Sequence, residues 1–267
     1  MSKQIVMIPS EVDVGKLHYS DPKSMPNGGK IAYINYGDGI DSISIQTPQV
    51  SFPFNATFYP DEHGGKFSCV FSLKSNETDE KEFIEKMNEI DEKIKNDAKI
   101  NSQAWFKKKS ITDDALDEKY KPIVKYSVDE ETGEKSGKYP PTMKFKVVQR
   151  NDKFQCKFYD ETKKRLNVDN AEETDFNDVS KLLAKGTTGR ILLTCRGLWF
   201  TSAGFGSMWN AEQIKLKVPK VLEDYAFRDD DGEFVDESDD KEEEEEEEES
   251  ESESGSDEPV KVVKRKK

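Results

Sequence analysis

Lysines and aromatic rings at alternating positions are the residues here whose types and spacing suit binding chemistry. Lys144–Arg150 and Lys153–Tyr159 thread through an Asn151-Asp152 turn. That hairpin pairs Phe145 with Phe158, Val147 with Cys156 and Gln149 with Phe154 on one largely apolar face. Its other face pairs Lys146 with Lys157 and Arg150 with Lys153, and sets Lys144 near Tyr159. Like charges directly opposite each other cost a sheet roughly 0.2–1 kcal/mol per pair. A bound phosphate backbone reverses that sign. The plain alternative is a solvated face whose long side chains splay apart.

A second stretch, Leu198–Trp209, holds two of the three tryptophans. In the strand that follows, Phe205, Trp209, Gln213, Lys215 and Lys217 share parity, while Ile214, Leu216 and Val218 point the other way. Rings stack on bases for about 1–3 kcal/mol each, and lysines track the phosphates. The same rings also suit a core. Of Trp199, Phe205 and Trp209, the reading expects at least one to stack. Trp105-Phe106 followed by Lys107, Lys108 and Lys109 is a further candidate, on a loop or flap.

Other chemistries lack their residues. The two histidines, His18 and His63, sit in no metal spacing, and no CxxC pair exists. Gly186–Gly189 lacks the lysine of a phosphate-binding loop, and Gly204-Phe205-Gly206 lacks the third glycine of a dinucleotide site. Asp229-Asp230-Asp231-Gly232 would place Phe227 and Ser238 at the first and last calcium-ligand positions, so it fails as a calcium loop. The reading therefore expects no catalytic residue, no metal and no cofactor. The three cysteines, Cys69, Cys156 and Cys195, read as buried reduced thiols.

Charge divides the chain. Residues 229–267 hold 20 of the 55 acidic and 6 of the 41 basic residues, so the net charge of -14 lies there and residues 1–228 balance. A stretch so charged and so poor in apolar residues cannot offset its ordering entropy, and it is expected to be disordered. No apolar run approaches a membrane span and no signal-peptide pattern is present. The expectation is a soluble intracellular protein with no membrane partner.

The elements that must position these groups are mostly strands: Ile31–Tyr36, Ser42–Thr47, Lys66–Leu73, Pro122–Val128, Arg190–Phe200 and Phe205–Val218. Residues 79–98 read as a helix, because Phe83, Met87, Ile90 and Ile94 form one stripe, with Asn76 or Thr78 as its cap. Asp175–Lys185 reads as a short helix. Pro48–Pro60 is irregular and Ser102–Tyr120 ambiguous. The expected architecture is mainly β, a barrel or sandwich over residues 1–228 with inserted helices, followed by the acidic tail.

Several stretches together resemble the single-stranded DNA-binding proteins of nucleocytoplasmic large DNA viruses. They are Gln46–Phe54, Lys66–Leu73, the Phe83–Ile94 helix with Glu89-Ile90-Asp91, Gly186–Arg190, Gly197–Phe200, Phe205–Trp209 and Gln213–Leu216. That family is linked to OB-fold binding proteins of certain bacteriophages. The resemblance covers most of residues 40–218. It implies an elaborated OB barrel that coats single-stranded DNA, or alternatively RNA, in replication, repair or recombination, without enzymatic activity. It also implies a tail that contacts replication proteins and competes with DNA. It places the protein in the host nucleus or at a cytoplasmic viral replication site. One departure stands out: the chain ends on Lys261–Lys267 rather than on an aromatic. A histone chaperone or other acidic scaffold is the competing reading, in which the tail is the binding surface.

Overall fold

Short strands come first and long ones last. The N-terminal part holds β1 (Val6–Met7), β2 (Leu17–Tyr19), β3 (Lys23–Ser24), β4 (Lys30–Ala32) and β5 (Ile34–Tyr36). Next come β6 (Ser44–Gln46), β7 (Val50–Ser51), β8 (Thr57–Asp61) and β9 (Gly64–Ser72). Three helices follow: α1 (Thr78–Ile100), α2 (Ser102–Phe106) and α3 (Asp113–Lys119). Then β10 (Tyr120–Lys121), β11 (Val124–Lys125), β12 (Thr142–Arg150), β13 (Lys153–Phe154), β14 (Lys157–Tyr159) and β15 (Arg165–Leu166) lead to α4 (Val179–Leu182). The chain closes with β16 (Thr188–Phe200) and β17 (Phe205–Lys217).

This computed structural model describes residues 6–26, 28–39, 42–74, 77–151, 153–169 and 179–217. The chain divides into two units, Met1–Pro219 and Lys220–Lys267. The second lies outside the described residues, as does the disorder expected for 229–267. So do Asp152 of the expected turn and residues 175–178 of the expected helix.

Alternation explains the long strands. In β9, Phe67, Cys69 and Phe71 are buried, while Lys66, Ser68 and Val70 face the other way. Five strands close on themselves: β16 pairs β17, β17 pairs β12, β12 pairs β9, β9 pairs β7, and β7 returns to β16. Closure leaves no free edge around the ring, and a five-stranded barrel is the size of an OB-type core. Its interior is filled by side chains such as Phe71, Phe145, Ile191 and Ile214. The expected mainly-β barrel with inserted helices is the architecture found.

Helix α1 lies between β9 and β12, one residue earlier and two later than its periodicity predicts. Phe83, Met87, Ile90 and Ile94 are all buried. Glu77 takes the N-cap position with no side-chain capping bond, and Thr78 is already helical. Asn76, the other expected cap, lies outside the described residues. Asp91, buried on the same face, accepts the Tyr120 hydroxyl at 2.5 Å and the Ile123 backbone N–H at 3.0 Å. Those bonds satisfy a carboxylate that would otherwise be costly to bury, and they lock α1 to the segment leading into β11. Strand 31–36 splits at Tyr33, because Ala32 pairs with β16 whereas Ile34 pairs with β2. The ambiguous 102–120 stretch folds as α2 and α3, the latter capped by Thr112, whose hydroxyl accepts from the Ala115 N–H.

Candidate nucleic-acid interface

Two bulges set the outer face of β16 and β17. Pairing runs Leu192 with Gln213 and then Leu193 with Ala211, which leaves Glu212 extra. It runs Cys195 with Trp209 and then Gly197 with Met208, which leaves Arg196 extra. The two extra residues form an ion pair at 2.5 Å. Each bulge advances its strand by one residue and so exchanges faces. Phe205, Trp209 and Ala211 point inward, as do Ile214 and Leu216 beyond the bulge. The expectation that Phe205 and Trp209 share a face with Lys215 and Lys217 is therefore corrected. Trp199, half-buried and paired with Gly206, is the tryptophan on the lysine side.

Beyond the bulge the outer face is basic. Arg190 pairs with Lys215, Lys215 with Tyr159 and Tyr159 with Arg165, a row of three cations and one ring across four strands. The next row holds Gln46, Leu192, Gln213 and Lys157. Gly189 lets the strands meet here, since a Cβ on it would lie 2.4 Å from the Lys215 carbonyl oxygen. Lys163 takes a left-handed backbone, φ 71°, in the turn after β14. In that turn Asp160 accepts the Thr162 hydroxyl and the Lys164 N–H, bonds that hold its carboxyl below the usual range. Together Gln46, Tyr159, Lys163, Arg190, Gln213 and Lys215 line most of an open depression of about 440 Å³. Lys217, also exposed, pairs with Thr188 at its end and lies 3.5 Å from Glu161.

The predicted hairpin forms only at its tip. Gln149 pairs with Phe154 and Arg150 with Lys153, and Asn151 adopts the left-handed φ of 50° that a tight turn requires. The Lys146–Lys157 pairing does not form. Strand β12 is paired with β9 along its length, and its other edge meets β17 at Lys146–Asn210. Lys157 instead pairs with Gln213. The barrel has taken the edge that the hairpin would have used, and one like-charge pair is relieved. Lys144 and Arg150 are exposed and Lys146 half-buried on the outer face of β12. The Lys146 Nζ lies 3.4 Å from the Met208 Sδ.

The third candidate is core. Trp105 is 3% exposed and packs against Tyr19, Phe106 and Phe200, while Phe205, at 1%, meets Phe106, Tyr120 and Phe200. Trp209, also 3% exposed, donates its indole N–H to Ser207. None of the three presents a ring face for stacking. Lys107, Lys108 and Lys109 are exposed just after α2, where Lys107 is the left-handed cap. The thiols of Cys69, Cys156 and Cys195 are free and buried, and burial pushes Cys69 and Cys195 up to about 12.

Sequence reasoning passed over Arg190, Arg165 and Lys163. Arg190 was legible: Arg190, Leu192 and Thr194 alternate with apolar Ile191, Leu193 and Cys195. It also passed over β8, where Phe58 and Tyr59 are 41% and 49% exposed and Tyr59 pairs with Lys66.

No curated protein matches the chain. Among solved structures, it is similar to a single-stranded DNA-binding protein from bacteriophage Enc34 in complex with ssDNA, with TM-score 0.42, 10% identity, and 75% of this chain and 96% of that one covered. It is likewise similar to gp2.5, a single-stranded DNA binding protein encoded by bacteriophage T7, with TM-score 0.42, 12% identity, and 70% and 98% covered. A family profile matches residues 71–236, more than half of the chain, which therefore belongs to the family described as Family of unknown function (DUF5871).

Proposed function

We propose that the outer face of β14, β16 and β17 binds single-stranded DNA without regard to sequence and without catalysing a reaction. The observation that carries this reading is the row Arg190–Lys215–Tyr159–Arg165. Arg190 opposite Lys215 is unfavourable in the free protein and becomes favourable when a phosphate lies between them. Tyr159 supplies a ring at the position where a base would stack, and Gln46 and Gln213 supply polar contacts beside it. Lys157, Lys144, Lys146 and Arg150 extend the positive surface along the barrel, and Lys153 and Lys217 flank it.

The acidic stretch 229–267 is a polyanion in the same chain, and it competes with DNA for basic surface or recruits basic replication partners. A sequence-tolerant binder of this kind serves DNA replication, repair or recombination. The resemblance of its motifs to those of the large-DNA-virus family supports that role.

The test is anisotropy of a labelled single-stranded oligonucleotide at several salt concentrations. The wild type is expected to bind with an affinity that falls steeply with salt. Arg190→Glu combined with Lys215→Glu should weaken binding by more than about a hundredfold, the order of two lost charge-assisted contacts. Ending the chain at Arg228 should tighten it. Equal binding by wild type and the double variant would overturn the assignment of the face. Absence of DNA binding together with histone binding that needs 229–267 would favour the acidic-scaffold reading.

A further inference from the structure

We infer that a second groove, where β9 ends and β12 begins, takes the continuation of the bound strand; this rests on the single-strand reading above. The groove encloses about 660 Å³, and Lys74, Lys81, Tyr126, Lys135, Lys138 and Tyr139 supply its charge and its rings. Nothing in the barrel requires four lysines to converge there. Among the described residues, none of the four forms a salt bridge. Glu85 is the one acid among the lining residues; Glu80 is buried beside Lys74 and partly offset by it, Glu77 lies near Glu80, and Asp129, Glu130, Glu131 and Glu134 stand in the turn before Lys135.

The rings hold the charges in place. The Lys135 ammonium lies 3.7 Å from the centre of the Tyr126 ring, and the Lys138 ammonium 5.4 Å from that of Tyr139. The Tyr126 hydroxyl accepts from the Asn88 side chain of α1 at 3.1 Å. The Ser127 hydroxyl accepts the Tyr139 N–H at 3.2 Å. So anchored, Tyr139 still exposes 62% of its surface. An exposed ring beside lysines that form no salt bridge suits a base and its phosphates.

Position identifies the occupant. Thr142 pairs with Ser72, Lys144 with Val70 and Lys146 with Ser68, and the Leu73 N–H bonds the Pro141 carbonyl. The lysines of β12 therefore lead from the barrel face to the groove. From Lys146 to Thr142 is about 13 Å along the strand, at roughly 3.3 Å per residue. A strand crossing the barrel face reaches the groove only if it is longer than the face itself.

That length dependence is the test. Oligonucleotides of about 8 and about 25 nucleotides bracket the span of one such barrel. They would be titrated against full-length wild type, Lys135→Gln combined with Lys138→Gln, and Tyr139→Ala, with circular dichroism as the check on folding. For the long strand, the double variant should show a salt slope shallower by roughly 1.4, two phosphate contacts at about 0.7 each. Tyr139→Ala should weaken the long strand at least about fivefold. The short strand should bind all three proteins alike.

Equal loss on both lengths, or no loss on either, would overturn the inference. So would a groove that takes an acidic peptide while binding of the long strand stays unchanged in the variants. Failure of the wild type to bind any single strand would overturn both the groove and the reading beneath it, and a wild type that binds separates the two.

Discussion

The same two strands, β16 and β17, carry opposite halves on either side of their paired bulges. On one side Phe200 and Phe205 turn inward and join Trp105 and Phe106 in a cluster of rings. On the other side Arg190 and Lys215 turn outward beside Tyr159. Both halves looked alike in sequence, an aromatic-and-lysine alternation running through one strand. The difference teaches that alternation assigns faces only as far as the next bulge. The two bulges are bridged by the Arg196–Glu212 ion pair. The rings were captured because burial of a large aromatic is worth several kcal/mol, whereas lysines resist burial and keep the solvent side.

The comparison breaks most clearly through stability. Phe205→Ala or Trp105→Ala removes a ring from the packed half and should cost about 3–5 kcal/mol in denaturant unfolding. Lys215→Glu should change stability by no more than about 0.5 kcal/mol while weakening single-strand binding about tenfold or more. Comparable losses from both would mean that the two halves are one structural unit.

The packed half should also respond to pH. Burial pushes the Asp91 carboxyl up to about 7 from 3.8, against the pull of its bonds from Tyr120 and Ile123. A raised carboxyl pKa means that the folded state holds the proton more tightly. Stability should then fall as pH rises from about 4 to about 7, by up to roughly 4 kcal/mol. Asp91→Asn should flatten that window in a series of unfolding curves, and an unchanged slope would refute the assignment. Since the Tyr120 ring packs on Phe205 at 5.1 Å, this carboxyl steadies the aromatic half and not the basic one.

On the basic half, Tyr159→Ala should weaken single-strand binding by about 1–3 kcal/mol with little change in melting temperature. The smallest effect belongs to the bulges. A double-mutant cycle on Arg196 and Glu212 should give a coupling of about 0.2–1 kcal/mol, because both side chains are partly exposed. A coupling near zero would show that packing alone holds the bulges.

Legibility followed locality. The α1 stripe, the alternation of β9 and the long β16–β17 hairpin were readable, since each is dictated by side chains a few residues apart. The Gln149–Phe154 and Arg150–Lys153 pairs were readable for the same reason: a tight turn joins them. The Lys146–Lys157 pair was misread because strand edges are allotted by the whole barrel, and β9 and β17 outcompeted the local partner. Arg165 and Lys163 went unseen because their relevance depends on β14 lying parallel to β17, a pairing across more than fifty residues of chain.

By itself the sequence determined a mainly-β chain with one strongly amphipathic helix, thiols suited only to burial, and a neutral body joined to a stretch holding all the net charge. Those are consequences of composition and short-range periodicity. Only the tertiary structure decided which rings are core and which cations share a face. That choice turns on two single-residue bulges and on which distant strand claims each edge. A bulge leaves only a phase break in the apolar spacing, here from odd Phe205, Trp209 and Ala211 to even Ile214 and Leu216, and the choice of strand partner leaves none.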